Sequence, residues 1–296
     1  MEIPTLQYHR PASLRQACLL ASQLGADARL LAGGTDLLID LKQGRLQLQH
    51  LVSLEAIGEL KRIFASDTEL RIGALVSLSA VADASLVHTH APALAEAILT
   101  MAAVQIRNRA TLGGNFCAAV PCADTPPVCI AYDARLRLVS AAGERIVPAD
   151  SFFLTPRRCV LEPGEVLAEV LLPLHRPHSG AAYARFSRRR FMSLAVAGVA
   201  ACVDVSAGLI RSARVAMTSV APTPILSPQA SAVLVGREPS QSIIAAAARA
   251  AASEARPISD LRGSASYRRD LVEVLATRAI RTAIARATDD LPPPAR

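Results

Sequence analysis

Two glycine pairs about eighty residues apart carry the strongest chemical signal in this chain of 296 residues. The first lies in Leu30-Leu31-Ala32-Gly33-Gly34-Thr35-Asp36-Leu37-Leu38. The second lies in Arg107-Asn108-Arg109-Ala110-Thr111-Leu112-Gly113-Gly114-Asn115, and Pro121 and Asp124 follow it. Each puts adjacent glycines after an apolar run and beside small hydroxyl and amide side chains. Glycine lets the main chain approach a ligand closely and take up positive φ, so that successive N–H groups aim at the same oxygens. That is the pattern of a backbone cradle for a diphosphate, and two such loops imply one extended ligand gripped from two sides. Taken singly, each pair also reads as an ordinary tight turn. Neither is the G-x-G-x-x-G dinucleotide fingerprint, and neither has the G-K-[ST] of a phosphate-binding P-loop.

Other chemistry is thin. The six cysteines are Cys18, Cys117, Cys122, Cys129, Cys159 and Cys202, with no C-x-x-C pair among them. Cys117, Cys122 and Cys129 form the one cluster, with Cys159 as a conceivable fourth iron–sulfur ligand. Their spacing is looser than ferredoxin-type sites use, so they read as reduced, buried thiols. No histidine and carboxylate grouping suggests zinc, and no metal ligand is assigned. His88 and His90 flank Thr89 in what reads as a polar, solvated loop. Spacing identifies no nucleophile and base, so no catalytic residue is assigned.

The elements that must position these loops are legible in outline. A short strand near Gln7-Tyr8 leads through Pro11 to a helix from about Ser13 to Leu24, stopped by Gly25. Ala28 to Ala32 reads as a strand running into the first loop, with a helix from Leu37 to Leu41 behind it. Leu51 to Leu54 and Leu70 to Ala74 read as strands, and Leu94 to Ala103 as a helix before the second loop. Ala134 to Val139 and Glu144 to Val147 form a hairpin across Ala141-Ala142-Gly143. Val166 to Leu172 is a further strand. A break falls at Pro173-Leu174-His175-Arg176-Pro177. The second part starts at Tyr183 and contains apolar runs Leu194 to Val205 and Leu209 to Val220, flanking the turn Ser206-Ala207-Gly208. Helices follow at Ser242 to Ala255 and Ala265 to Ala287, and the proline tail from Leu291 is expected to fray. The divisions expected are 1–176, 177–290 and a tail, 291–296.

Composition narrows the class. Hydrophobic residues are 51% of the chain while aromatics are 3% and Trp is absent, so the core is aliphatic. The net charge of +7 suits an anionic cofactor or an acidic partner. No nucleic-acid motif accompanies it, and aromatics are too sparse for a base-stacking surface. No apolar stretch is long enough to span a bilayer, and no secretory leader is visible, which leads to the expectation of a cytoplasmic protein.

The two loops with their flanks, in order along almost the whole chain, resemble the flavin-binding medium subunit of molybdenum hydroxylases. That family includes carbon monoxide dehydrogenase medium subunits and the FAD domain of xanthine dehydrogenase. Ala32-Gly33-Gly34-Thr35-Asp36-Leu37 resembles its first FAD segment. Gln105 to Asn115, with Pro121 and Asp124, resembles the second. Gly164-Glu165-Val166-Leu167 with Pro173 is similar to the strand that brings a leucine to the flavin, and Asp260-Leu261-Arg262-Gly263-Ser264-Ala265-Ser266-Tyr267-Arg268 to the C-terminal signature.

The resemblance implies an α+β fold: a two-subdomain FAD-binding domain of the vanillyl-alcohol-oxidase (PCMH) type, then a small C-terminal α/β domain. It implies bound FAD, contacted by Ala32, Gly33, Gly34, Thr35, Asp36, Leu37, Thr111, Gly114, Asn115, Asp124, Leu167 and Arg185. It implies two partners, a small subunit with [2Fe–2S] clusters and a large molybdopterin-binding subunit, in a heterotrimer or its dimer. Electrons would pass from the clusters to the FAD and on to an external acceptor. Two positions depart from the family pattern. Arg185 stands where many members carry Lys, and Ser193 where an acidic residue is common. Some relatives carry a cysteine-bearing insertion for a [4Fe–4S] cluster after the second loop; here Asp124 follows Asn115 by nine positions, which leaves no room for it. The alternatives are a stand-alone flavin oxidase or dehydrogenase, which needs a catalytic base or covalent flavin attachment, and a basic interaction module that uses the glycines only as turns.

Overall fold

The structure, a computed structural model, describes residues 5–189 and 192–288. It mixes helices with three main sheets. Strands Gln7–His9, His50–Ser53 and Ala28–Leu31 form a parallel sheet in that spatial order. Helix Leu14–Leu24 supplies the crossover between parallel strands that such a sheet requires. Its N-cap is Ser13, whose hydroxyl accepts from the Gln16 N–H, and Gly25 at φ +56° ends it.

The second sheet is antiparallel, ordered Ile63–Ala65, Glu69–Gly73, Val166–Pro173, Arg135–Val139, Glu144–Pro148. Val166–Pro173 is central and almost continuously buried. Short helices pack against this sheet, among them Pro92–Leu99 and Thr125–Ala131. Three of the six phenylalanines cluster here: Phe116 lies 5.7 Å from Phe153 and 6.1 Å from Phe152, ring centroid to centroid. They seat a small hairpin, Phe153–Thr155 with Arg158–Cys159, on helix Leu112–Cys117, which contains the second glycine pair.

The third sheet orders Ser179–Phe186, Ala197–Ser206, Leu209–Thr218 and Ile225–Leu226, all antiparallel. Its central strand is buried on both faces. Val199, Ala201 and Val203 face helices Gln241–Glu254 and Ala265–Ala287, while Ala200 faces the core around Thr125–Ala131. Burial on both faces explains why its sequence is an unbroken apolar run instead of an alternation. Alanine dominates because helix and sheet approach closely where aromatics are scarce.

Several expectations need correction. The helix from Leu94 to Ala103 is two helices, Pro92–Leu99 and Val104–Arg107, because Ala102 sits at φ +42° between them. The strand expected to begin at Tyr183 runs Ser179–Phe186. His88 and His90 belong to helix Ser85–His90; His88 is exposed as expected, but His90 is half-buried and its Nδ1 is shielded from solvent without a partner. Helices Leu78–Asp83, Leu112–Cys117, Thr125–Ala131 and Pro228–Leu234 carry no readable periodicity. Segments this short are held by caps and tertiary packing, not by their own propensity. The proline tail lies outside the described residues.

Candidate functional site

The first glycine loop leaves the end of strand Ala28–Leu31 and turns into helix Leu37–Lys42. Gly34 sits at φ +75°, a conformation only glycine adopts cheaply. Gly33 is required for another reason. A Cβ there would lie 1.9 Å from the Arg109 carbonyl oxygen, so the two glycine loops pack backbone against backbone. The N–H groups of Gly33, Gly34, Thr35 and Asp36 make no hydrogen bond among the described residues. Successive backbone donors without partners, three of them half-buried, form an anion cradle.

The second loop works differently from the expected second grip. Leu112 N–H donates to the Val76 carbonyl at 3.0 Å and Gly113 N–H to that of Ala74 at 2.9 Å. Gly114 N–H donates to Thr111 Oγ1 at 3.0 Å, which makes Thr111 the N-cap of helix Leu112–Cys117. A Cβ on Gly113 would come within 2.5 Å of the Ala74 Cβ. Glycine here serves close packing, and the backbone donors of the second loop are already engaged. What it offers a ligand is side-chain chemistry. Asn115 Oδ1 accepts from the Thr125 hydroxyl at 2.6 Å, which leaves the Asn115 amide N–H groups free.

Both loops line one cleft of about 1000 Å³, together with Leu167, Leu161 and Pro163 on its far wall. This is the upper end of the range for small-molecule sites. A second compartment of about 280 Å³ adjoins it, lined by Met101, Ile106, Asp124 and Leu194. Asp36 and Asn115 line both spaces. Of the expected residues, Ala32 to Leu37, Thr111, Gly114, Asn115 and Leu167 all border the large cleft, and Asp124 borders the small one.

Arg185 borders neither. Its side chain is 8% exposed and that of Asp124 is 7% exposed, and they pair at 3.4 Å. Arg185 also donates to the Thr100 carbonyl at 2.8 Å and to the Ser193 carbonyl at 2.5 Å. Arg185 and Ser193, the two positions expected to depart from the pattern, therefore touch each other: the guanidinium reaches the backbone of Ser193. The other Asp124 oxygen accepts from the Tyr183 hydroxyl at 2.6 Å. Burial pushes the Asp124 carboxyl up, while Arg185 and Tyr183 pull it back down. Burial likewise raises Asp36, with Arg157 opposing. The third sheet fixes this corner from behind. The buried Thr218 hydroxyl lies 2.8 Å from the carbonyls of both Pro121 and Ala123.

Tyr183 and Arg157 were missed from the sequence. Tyr183 had a signal, since it stands two residues before Arg185 on one strand and shares its face. Arg157 had none, because a hairpin tip shows no periodicity. The signature at Asp260 to Arg268 is structural. Buried Arg268 donates to Asp260 at 2.6 Å and to the Val196 and Ser219 carbonyls at 2.8 and 3.1 Å, which pins the loop to the third sheet.

Cys129 is buried in the core, and Cys117 and Cys159 line the cleft. Burial pushes the thiols of Cys117 and Cys129 well up and that of Cys122 up against the pull of Arg262 and Arg185, which disfavours the thiolate a metal needs. The expected result is that the chain purified alone carries no stoichiometric iron or sulfide. Iron and labile-sulfide assays at one cluster per chain would refute it.

These features define a class. Residues 4–175 match the family "FAD binding domain in molybdopterin dehydrogenase", and residues 181–283 match "CO dehydrogenase flavoprotein C-terminal domain". The chain belongs to this family of FAD-binding oxidoreductase subunits. It is 36% identical to the carbon monoxide dehydrogenase medium chain of Hydrogenophaga pseudoflava, over 96% of this chain and 98% of that one. It is 33% identical to the xanthine dehydrogenase FAD-binding subunit of Escherichia coli O157:H7, over 95% and 96%. Carbon monoxide dehydrogenase from H. pseudoflava, solved in a form lacking the Mo-pyranopterin moiety of the molybdenum cofactor, superposes with a TM-score of 0.94 at 37% identity. That match covers 97% of this chain and 99% of that one. The fold is accordingly a mixed helix and strand FAD-binding domain followed by the C-terminal flavoprotein domain.

Proposed function

We propose that this chain is the FAD-carrying electron-transfer subunit of a molybdenum hydroxylase complex. It takes electrons from [2Fe–2S] clusters on a small subunit and passes them to an external acceptor, while a molybdopterin-binding large subunit oxidises the substrate. The observation that carries this reading is the run of unpartnered N–H groups from Gly33 to Asp36, set in a cleft large enough for a dinucleotide. Those donors suit a diphosphate. Asp36 and Asn115 between the two compartments, and Asp124 in the smaller one, suit hydroxyl and amide groups of the cofactor. Arg185 acts on the cofactor only through Asp124 and the Ser193 backbone. When bound, the flavin supplies two-electron to one-electron redox exchange; the protein supplies position, electrostatics and exclusion of water.

Within this reading, residues 1–176 form the FAD domain of vanillyl-alcohol-oxidase type in two subdomains, and 177–290 the C-terminal α/β domain. The first subdomain corresponds to the parallel sheet and the second to the five-stranded one. No helix among the described residues is long and apolar enough to cross a membrane.

The test is anaerobic bleaching of the flavin absorbance with candidate substrates: N-heterocycles, aldehydes and CO. The isolated chain should stay oxidised with all of them, and bleaching should appear only once both partner subunits are added. Rapid bleaching of the isolated chain by any of these compounds would establish a stand-alone flavin oxidase or dehydrogenase instead.

A further inference from the structure

The cradle of the first loop has an electrostatic difficulty. A diphosphate laid against Gly33 to Asp36 faces Asp36 and, one helical turn on, Asp40, both of which line the cleft. Three arginines line the same cleft: Arg29, Arg45 and Arg157. Arg29 is folded onto the carbonyls of Ala26 and Ala28 at 3.1 and 2.8 Å. Arg45 reaches Asp40 at 3.3 Å from five residues further along the same segment.

Arg157 comes from across the cleft. It sits at the tip of the hairpin formed by Phe153–Thr155 and Arg158–Cys159, and its Nη1 donates to Asp40 at 2.8 Å. Its N–H donates to the Ala119 carbonyl at 2.9 Å, just past the second glycine loop. One residue thus ties together the hairpin, the helix behind the first loop and the chain after the second loop. Its backbone is held at φ +63° and that of Ala119 at φ +46°, conformations that a turn would normally give to glycine or asparagine. A strained non-glycine position that its surroundings enforce is a pointer to function. Only one guanidinium nitrogen is used. Nε and Nη2 make no hydrogen bond among the described residues, and the side chain is 59% exposed. Its charge also opposes the burial-driven rise of the Asp36 carboxyl, which places it within reach of the cradle.

We propose that Arg157 is a cationic clamp on the cofactor's diphosphate, closing the cleft mouth opposite the N–H groups of Gly33 to Asp36. The inference rests on the reading of the cleft as an FAD site. Asp40 holds the guanidinium in place through Nη1, and the free Nε and Nη2 edge meets the phosphate oxygens.

The test is titration of the flavin-stripped full-length chain with FAD, followed by flavin fluorescence, at low and moderate salt. Arg157→Ala should raise the FAD dissociation constant about tenfold at low salt. It should also flatten the salt dependence, because the lost interaction is between charges near the surface. Arg157→Lys should recover much of the affinity. Arg45→Ala should stay within about twofold of wild type, and Asp40→Asn should lose less than Arg157→Ala, because the amide oxygen can still accept from Nη1. Should Arg157→Ala fail to fold, Arg157→Gln removes the same charge and is read the same way. Wild-type affinity and wild-type salt slope in Arg157→Ala would overturn the proposal. So would an Arg45→Ala loss equal to that of Arg157→Ala, since the effect would then be one of net cleft charge and not of a clamp at Arg157. A wild-type chain that takes up no FAD would overturn the functional reading, and the clamp with it.

Discussion

Gly33→Ala is expected to abolish FAD retention and to destabilise the chain by about 3 kcal/mol. The added methyl would lie 1.9 Å from the Arg109 carbonyl oxygen and 2.7 Å from its carbon. Neither belongs to a flexible side chain that can swing away, so one glycine loop must move off the other. The four unpartnered N–H groups would then lose their common aim. Gly34→Ala should behave more mildly, because its Cβ would meet the Leu38 and Leu31 side chains at 3.0 and 3.2 Å. Its cost, about 1 to 2 kcal/mol, comes chiefly from holding an alanine at φ +75°. Urea midpoints and flavin content of the purified variants separate the two. Equal, small effects from both substitutions would mean that the loops are not packed as described.

Arg185→Met is the second large effect. It leaves Asp124 buried with only the Tyr183 hydroxyl for company. Breaking one half of a buried pair costs about 3 to 5 kcal/mol at neutral pH. The sign of the pH dependence follows from the direction of the shift. Asp124 already has a raised carboxyl in the folded chain, with burial as the largest cause and Arg185 as the main opposing one. Removing Arg185 raises it further. A carboxyl whose folded pKa exceeds its unfolded one opposes folding above that window and ceases to do so once protonated. The gap between variant and wild type should therefore be widest near pH 7. It should narrow as pH falls through the raised Asp124 range toward the ordinary aspartate value. Unfolding free energies between pH 4 and 8 give the curve, and a gap that is constant or widens on acidification would contradict it. Arg185→Lys should keep the charge but lose the reach to Ser193.

Chemistry and architecture were legible to different depths. The two glycine loops, their order and the apolar runs around them stood in the sequence because a ligand-facing loop needs particular residue types. The helix Leu14–Leu24 and the hairpin across Ala141 to Gly143 were equally plain, since caps and turns are local. The short helices Leu78–Asp83 and Thr125–Ala131 were not, because their stability comes from contacts with distant strands.

By itself, then, the sequence determined the kind of ligand site and the family to which the chain belongs. It could not say what each glycine is for. Gly33 and Gly113 prove to be glycine because other backbone lies against them, Gly34 because of its dihedral, and Gly114 donates to the cap of its own helix. Nor could it show that Arg185 spends its charge on Asp124, or that Arg157 crosses to Asp40 from 117 positions away. Residue types are set locally, whereas hydrogen-bond partners and electrostatic pairs are set by which surfaces the fold brings within about 3 Å of each other. Only the tertiary structure decides that.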